Sequence, residues 1–242
     1  MSLLRLENVG KSFGGLAAVQ NVSFAVAPGE VLGLMGANGA GKTTLFNMIS
    51  GVIRCDAGAI LFDGRPIQRL RPDRICRLGI ARTYQIVRPF PGLTVKENVI
   101  VGALYGAGRR GSLPDAERIA EAALHEAQLD VSRDSLASDL TLAGRKRLEI
   151  ARALACEPRL LMLDEVLAGL TPTEVERSLE MLKAIASGRK LSIVMVEHNM
   201  RALMGFCERI VVLHHGEMIA EGTPAQVSSD ENVIAAYLGA HP

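Results

Sequence analysis

Short apolar segments separated by polar or glycine-rich turns occupy the first quarter of the chain. Leu3–Val9 alternates apolar and polar residues, which is typical of a strand with one buried face. Further apolar runs predict the strands Ala17–Val26, Glu30–Met35 and Ala59–Phe62. A glycine-rich loop precedes Lys42–Ser50, which is predicted to be a helix. The N-terminal part is therefore predicted to consist mainly of β-strands.

The middle of the chain has a helical pattern. From Pro72 to Ala155 the sequence predicts mainly helices, and Thr94-Val95-Lys96-Glu97 matches a capping box at a helix start. Pro114 suits the first turn of another helix. Between these helices, Tyr105–Ser112 contains three glycines and two arginines and is predicted to be a loop.

Strands and helices alternate in the last third. Leu160–Leu163, Leu191–Val196 and Ile210–Leu213 are short apolar runs that predict buried strands. Thr171-Pro172-Thr173-Glu174 predicts the start of an intervening helix, whose apolar face would contain Val175, Leu179, Leu182 and Ala186. This alternation predicts an α/β fold with a parallel sheet covered on both faces.

Composition narrows the class of protein. The 242 residues include 27 Lys and Arg against 26 Asp and Glu, and 48% are hydrophobic. A net charge of +1 with this hydrophobicity excludes a disordered chain and argues against nucleic acid as a partner. The apolar runs fall short of the roughly 20 residues that a membrane-spanning helix needs. Four cysteines lie far apart in sequence, which favours free thiols in a soluble, cytoplasmic protein.

A phosphate-binding motif follows the third predicted strand. The sequence GxxxxGK[ST] is matched, between a strand and a helix, by Gly36, Ala37, Asn38, Gly39, Ala40, Gly41, Lys42, Thr43 and Thr44. The glycines allow the backbone to wrap around a phosphate with its N–H groups pointing inward. Lys42 would contact the outer phosphates, and the Thr43 hydroxyl would bind Mg²⁺. The motif predicts a nucleoside triphosphate as ligand.

Two carboxylates end a strand about 120 residues later. Leu160–Leu163 leads directly into Asp164 and Glu165, the pattern of a Walker B motif. Ionised carboxylates at the end of a buried strand should face a cation or water. Asp164 is predicted to hold Mg²⁺ through its water shell, and Glu165 to orient and polarise the attacking water.

With these two motifs, the sequence resembles the ATP-binding-cassette (ABC) ATPases over essentially its whole length. Gln85 occupies the position of the Q-loop glutamine, which in that family contacts Mg²⁺ and the attacking water. His198 matches the switch histidine that contacts the γ-phosphate, and Phe13 lies where an aromatic ring stacks on adenine. The resemblance implies ATP and Mg²⁺ as cofactors and ATP hydrolysis as the activity.

The same resemblance extends to the family's signature segment, in a modified form. Leu140-Thr141-Leu142-Ala143-Gly144, followed by the sequence RKRLEIARAL, looks like the LSGGQ stretch and its helix. Thr141 keeps the hydroxyl of the serine, Leu142 and Ala143 replace the two glycines, and Gly144 replaces the glutamine. Thr141, Ala143 and Gly144 are thus implied to bind the nucleotide of a second subunit, since the family pairs two ATPase domains head to tail. Thr141 is also a plausible helix N-cap, and the two roles are compatible.

The resemblance also gives a domain organisation. It implies one ABC ATPase domain over residues 1–242, with a P-loop α/β core and an N-terminal antiparallel β subdomain formed by 1–65 and 157–242. A helical signature subdomain would be inserted at 66–156.

A narrower likeness points to a subfamily. Gly79–Phe90, Leu142–Glu149 and the ending Gly222-Thr223-Pro224…Tyr237-Leu238-Gly239 look like the ATPase subunits of branched-chain amino acid importers, a subfamily that also serves other small organic solutes. This implies an ATPase on the cytoplasmic face of the inner membrane, as a homodimer or a heterodimer with a paralogue. Its partners would be permease subunits and, indirectly, a periplasmic solute-binding protein.

A basic stretch beside Gln85 is interpreted as part of the permease interface, although a solvated surface is the simpler reading; it comprises Arg65, Arg69, Arg71, Arg74, Arg77, Arg82 and Arg88. Ile86–Leu93 would be the apolar edge of that interface.

Three other functions fit less well: a DNA-repair or translation cassette, a small-metabolite kinase and a regulatory nucleotide-binding module. The first usually carries a long insert or a second cassette, the second leaves the Gln85, Thr141 and His198 series unexplained, and the third would be expected to lack Glu165.

Overall fold

The computed structural model describes residues 2–84, 89–107 and 112–238. The chain divides into two compact units, each described here by itself. The first combines Met1–Pro72 with Ser192–Pro242, and the second is Asp73–Leu191. The helical subdomain at 66–156 remains a prediction.

Ten strands are numbered in chain order: β1 Leu4–Phe13, β2 Leu16–Val26, β3 Val31–Gly36, β4 Ala57–Phe62, β5 Arg65–Pro66, β6 Ile80–Arg82, β7 Leu160–Asp164, β8 Ser192–Val196, β9 Arg209–His214 and β10 Glu217–Gly222. Nine α-helices lie among the described residues: α1 Lys42–Ile49, α2 Pro72–Leu78, α3 Val95–Tyr105, α4 Leu113–Glu126, α5 Leu142–Ala155, α6 Pro172–Arg189, α7 Met200–Phe206, α8 Pro224–Ser228 and α9 Glu231–Leu238. None of these helices is both long and apolar enough to cross a bilayer.

Two sheets build the first unit. β1 pairs antiparallel with β2 and with β4, and β5 extends this sheet at its edge. In the second sheet, β3 lies between β8 and β9 and is parallel to both, while β10 pairs antiparallel with β9. All six residues of β3 are buried, which explains their continuous apolar run. This arrangement gives β3 a protected carboxyl end from which the glycine-rich loop starts.

In the second unit, small residues allow three helices to pack closely. β6 and β7 form a parallel pair, and α3, α4 and α5 contact one another. A Cβ atom on Gly102 of α3 would come within 2.4 Å of the Arg152 carbonyl oxygen of α5, so only glycine permits this approach. Ala103, Ala120, Ala123 and Ala151 are also buried at these helices.

Hydrogen-bonded caps start the helices where the sequence predicts them. Thr94 and Glu97 form a complete capping box at α3, and Thr171 and Glu174 form another at α6. Pro114 lies in the first turn of α4, as predicted. These local signals fix the helix starts because each N-cap oxygen accepts a backbone N–H that the helix itself leaves without a partner.

The structure corrects several details of the sequence interpretation. β5, β6, β10 and the helices after β8 had no predicted counterpart. β6 is only three residues long within a region predicted to be helical, and β10 is a largely exposed edge strand. The most buried residues of α6 are Ser178, Met181, Leu182 and Ile185, so of the predicted face Leu182 is fully buried, whereas Val175, Leu179 and Ala186 are only half-buried. The apolar residues of α6 surround more than one side of the helix, and packing selects which of them is buried. Part of the predicted loop at 105–112 lies outside the described residues.

All four cysteines are free thiols, as predicted, yet two that lie 80 positions apart in sequence meet in the second unit. The Cys156 thiol forms a hydrogen bond with Cys76, and this bond lowers the pKa of Cys76 to about 7 although burial opposes the shift. The Cys156 sulfur also lies 3.5 Å from the Gly102 and Arg152 carbonyl oxygens. A Cys76 thiolate is a stronger acceptor than either carbonyl, so Cys156 keeps its proton and its pKa is raised.

We expect Cys76 to react with iodoacetamide faster than an ordinary thiol at neutral pH, because the hydrogen bond from Cys156 lowers its pKa and so favours the reactive thiolate. Buried Cys207, whose pKa desolvation raises to about 12, should stay unmodified and serves as the internal control. Cys156→Ala removes the donor and should slow Cys76 alkylation by roughly an order of magnitude, whereas Cys156→Ser retains a hydroxyl donor and should slow it less. Mass spectrometry of timed samples measures the rate of Cys76 alkylation. A wild-type rate in Cys156→Ala would contradict the assigned hydrogen bond.

Candidate functional site

The glycine-rich loop of the first unit holds a buried cation. Lys42, the first residue of α1, is only 6% exposed. Its Nζ donates hydrogen bonds to the carbonyl oxygens of Gly36, at 2.7 Å, and of Ala37, at 2.9 Å. A buried ammonium group needs such acceptors, and an anion would satisfy its charge better than neutral carbonyls do. The loop is therefore shaped around a positive charge.

Two glycines of this loop are required by its close packing. Gly41, the N-cap of α1, has φ = 100°, and a Cβ there would lie 2.4 Å from the Ala18 carbonyl oxygen. A Cβ on Gly36 would lie 2.5 Å from the carbonyl oxygen of Leu213 in β9. The loop is thus held against its neighbours by contacts that any larger residue would break.

The remaining residues of the motif differ in exposure. Ala37, Asn38 and Gly39 are exposed, whereas Ala40 is buried. Thr43 is exposed in the first turn of α1, and Thr44 is half-buried. Because the loop lies at the N-terminus of α1, the helix dipole and the first N–H groups favour an anion at this place. The geometry fits the predicted phosphate site.

Two more predicted residues belong to the first unit. Val196 of β8 pairs with Leu34 of β3 in parallel register, so His198, two residues later, lies at the same edge of the sheet as the glycine-rich loop. His198 is exposed there. Phe13 ends β1 and is 49% exposed, with the Lys11 ammonium 5.3 Å from its ring centroid. An exposed aromatic ring of this kind is available to stack on a ligand, as predicted for adenine.

The two predicted carboxylates lie in the second unit, at the end of β7. Asp164 is buried, and its Oδ2 accepts a hydrogen bond of 2.7 Å from Nη2 of Arg82 in β6. Its backbone N–H donates to the hydroxyl of the fully buried Thr83. Glu165 is half-buried, with a left-handed backbone at φ = 50° that is uncommon for a residue with a side chain. Backbone conformations of this type are enriched at functional positions.

The signature helix is tied to the carboxylate pair within this unit. Lys146 of α5 is buried and its Nζ donates to the Glu165 carbonyl oxygen at 2.8 Å. Thr141 is exposed at the N-cap of α5, as predicted, and its Oγ1 accepts from the Gly144 N–H at 3.2 Å. Ala143 and Gly144 are half-buried in the first turn. The start of α5 is therefore a capped helix end whose position is coupled to Glu165 through Lys146.

Sequence reasoning missed Arg82 and Lys146 as site residues. The sequence analysis places Arg82 in a basic stretch at the permease interface or on a solvated surface, and this is wrong for Arg82: its side chain is only 6% exposed and pairs with Asp164. Both lie in segments that contain a predicted motif: Arg82 is three positions before Gln85, and Lys146 is five positions after Thr141. A buried partner for the Asp164 carboxylate could have been anticipated on energetic grounds, although not its identity. Gln85 itself lies outside the described residues.

The available donor atoms suit magnesium bound with a nucleotide. Mg²⁺ prefers oxygen ligands, keeps several waters and is typically held by one or two carboxylates together with phosphates. Within the first unit the Thr43 hydroxyl is an oxygen of this kind, and within the second unit the Asp164 carboxylate supplies others. Among residues 2–84, 89–107 and 112–238 no group of three or more His, Cys, Asp or Glu side chains could hold a metal ion alone.

Comparison with known proteins shows the family to which the chain belongs. The family described as "ABC transporter" matches residues 19–168, and the one described as "Branched-chain amino acid ATP-binding cassette transporter" matches residues 217–242. The chain is 37% identical over 250 residues to the high-affinity branched-chain amino acid transport ATP-binding protein LivG of Escherichia coli K12, covering 98% of both chains. It is 38% identical over 240 residues to the lipopolysaccharide export ATP-binding protein LptB of Haemophilus influenzae, covering 99% of this chain and 98% of the relative.

Solved structures give the same result. An ATP-binding cassette in its ADP conformation superposes with a TM-score of 0.88 at 29% identity, covering 99% of both chains. A dimeric cassette bound to ADP and phosphate superposes with a TM-score of 0.81 at 26% identity, covering 91% of this chain and 98% of that one. The chain therefore belongs to the ABC transporter family, as an ATPase subunit homologous to the ATP-binding proteins of branched-chain amino acid transporters.

Proposed function

We propose that this chain is the ATP-hydrolysing motor subunit of a membrane importer for branched-chain amino acids or related small organic solutes. The observation that supports the solute class most directly is the identity of 37% to LivG across 98% of both chains. The match at residues 217–242 supports the same class from a different part of the sequence. The solute would not touch this subunit, so its identity rests on these likenesses.

ATP and Mg²⁺ would bind at the loop around Lys42. Lys42 would exchange the Gly36 and Ala37 carbonyls for the outer phosphates, because a charged acceptor forms a stronger hydrogen bond than a neutral one. Backbone N–H groups of residues 37–44 would surround the phosphates, and Phe13 would stack on adenine. When bound, Mg²⁺ neutralises phosphate charge; Thr43, Asp164 and Gln85 are the residues that would hold it.

Hydrolysis would depend mainly on positioning. Glu165 would orient the attacking water and accept its proton, and His198 would contact the γ-phosphate. The hydrogen bond from Lys146 to the Glu165 carbonyl fixes the backbone that carries this carboxylate. A fixed backbone suits a general base, which must lie within hydrogen-bond reach of the proton it takes.

The working ATPase would be a dimer in which the start of α5 of one copy completes the nucleotide site of the other. Thr141, Ala143 and Gly144 lie at the positive end of this 14-residue helix, which favours a phosphate. Filled sites would draw two copies together, since the triphosphate then has positive groups on both sides. Loss of phosphate after hydrolysis would remove that attraction and reopen the dimer.

This opening and closing would drive permease subunits from the cytoplasmic face of the inner membrane. Near the expected contact, Asn98 is fully buried and its side chain bonds both backbone groups of Phe90, donating at 3.0 Å and accepting at 2.8 Å. The Phe90 ring remains 44% exposed. An exposed apolar ring on a rigidly held segment suits a docking role, although residues 86–88 of the predicted edge lie outside the described chain.

The direction of transport needs its own test, because LptB belongs to an export system by its name. We expect a tagged chain to co-purify from membranes with a hydrophobic permease and a periplasmic solute-binding protein. Deleting the gene should abolish uptake of radiolabelled leucine or another small organic solute carried by that binding protein. Co-purification with export components and unchanged uptake would contradict the importer assignment.

Glu165→Gln should bind ATP and dimerise but hydrolyse it at least roughly 50-fold more slowly, because the amide cannot accept the proton of the attacking water. Sedimentation with ATP and Mg²⁺ measures the dimer, and phosphate release measures turnover. Glu180→Gln, on the exposed side of α6, is the matched control and should behave as wild type. Near-normal turnover in Glu165→Gln would remove Glu165 from the catalytic role.

Gly41→Ala should weaken ATP binding at least roughly tenfold, because both its φ of 100° and the Ala18 carbonyl oppose a Cβ. Gly39→Ala is the matched comparison: its φ is also positive, at 80°, but no atom lies within 4 Å of the added carbon. It should therefore weaken binding by a smaller factor. Calorimetric titration with ATP in EDTA measures both, and equal losses would show that the close contact at Ala18 is unimportant.

A further inference from the structure

The ion pair between Arg82 and Asp164 is the most completely buried one in the second unit for which both side chains are described. The two side chains are 6% and 4% exposed, and Nη2 and Oδ2 lie 2.7 Å apart. Because one buried charge without the other would be costly, each side chain constrains the other to this geometry.

Several contacts hold Arg82 in place. β6 pairs with β7 so that Arg82 lies beside Met162, and the next residue, Thr83, bonds backbone groups on both sides of Leu163. Its N–H donates to the Met162 carbonyl at 2.9 Å and its hydroxyl accepts the Asp164 N–H at 3.1 Å. The guanidinium carbon of Arg82 lies 5.1 Å from the centroid of the Tyr84 ring, a cation–π contact. The arginine is thereby held in register with the carboxylate by backbone pairing and by its ring contact.

We infer that Arg82 is a positioning residue for the magnesium carboxylate, fixing the rotamer of Asp164 before the metal and nucleotide arrive. This inference rests on the proposed function, in which Asp164 holds Mg²⁺. With Oδ2 bound to Arg82, Oδ1 is left to accept from the metal's water shell. Outer partners that orient a ligand in this way commonly change metal affinity by about 10- to 100-fold when they are removed.

A merely structural role and a competing role make different predictions. If Arg82 only stabilised the fold, its loss would weaken nucleotide binding with or without metal. If Arg82 competed with the metal for the carboxylate, its removal would tighten metal binding, since one positive charge would be gone. A positioning role instead weakens metal binding and leaves metal-free nucleotide binding intact.

The experiment titrates Mn²⁺, which gives an electron paramagnetic resonance signal, into the full-length protein saturated with ADP. Arg82→Gln should raise the dissociation constant of Mn²⁺ by about tenfold or more, while ADP affinity in EDTA stays within about twofold of wild type. Arg82→Lys keeps the charge but has lost the planar fork, so it should fall between these values. Arg118→Gln, an exposed arginine of α4, is the matched control and should leave both affinities unchanged.

Asp164→Asn separates failure of this inference from failure of the proposed function. If Asp164→Asn weakens Mn²⁺ binding but Arg82→Gln leaves it unchanged or tighter, the positioning role is overturned and the proposed metal site stands. If Asp164→Asn has no effect, Asp164 is not a metal ligand and the proposed site itself fails. Should Arg82→Gln fail to fold, an Arg82→Lys protein with wild-type Mn²⁺ affinity overturns the inference.

Discussion

The hydrogen bonds from the Lys42 ammonium to two carbonyls of its own loop are the interaction on which the account of the site depends. They hold a nearly buried positive charge at the carboxyl end of β3. A charged acceptor such as a phosphate forms a stronger hydrogen bond with an ammonium group than a neutral carbonyl does. The fold of the first unit is what makes this arrangement possible, because Gly36 and Gly41 let the loop approach β9 and the Ala18 carbonyl more closely than any side chain would allow.

The second unit buries a negative charge, that of Asp164 at the end of β7, where the first unit buries a positive one. The Arg82 guanidinium compensates the charge of the Asp164 carboxylate. Thr83 holds β6 against β7 by hydrogen bonds to the Met162 carbonyl and the Asp164 N–H. Lys146 connects the start of the signature helix to the backbone of Glu165. Each unit thus carries half of the expected chemistry with its charges arranged in advance, a requirement when catalysis depends on positioned electrostatics.

Much of this could be predicted from the sequence because it follows from local rules. The P-loop, the carboxylates at the end of β7 and the caps at Thr94, Thr141 and Thr171 are encoded in runs of a few residues, and the structure has each element where the sequence predicts it. Those motifs also indicated the family, which the comparisons confirm. The strand β10 could not be predicted, because an exposed edge strand lacks a regular apolar pattern. The partner of Asp164, the meeting of Cys76 with Cys156 and the buried face of α6 depend on tertiary packing, which leaves no periodic signal.

A crystal structure of the Glu165→Gln protein with ATP and Mg²⁺ tests most directly whether the loop around Lys42 receives the terminal phosphates of ATP. In that structure we expect Lys42 Nζ to have left the Gly36 and Ala37 carbonyls and to lie within about 3 Å of the β- and γ-phosphate oxygens. A bound ATP whose phosphates lie away from this loop, with Lys42 still on the two carbonyls, would contradict this expectation.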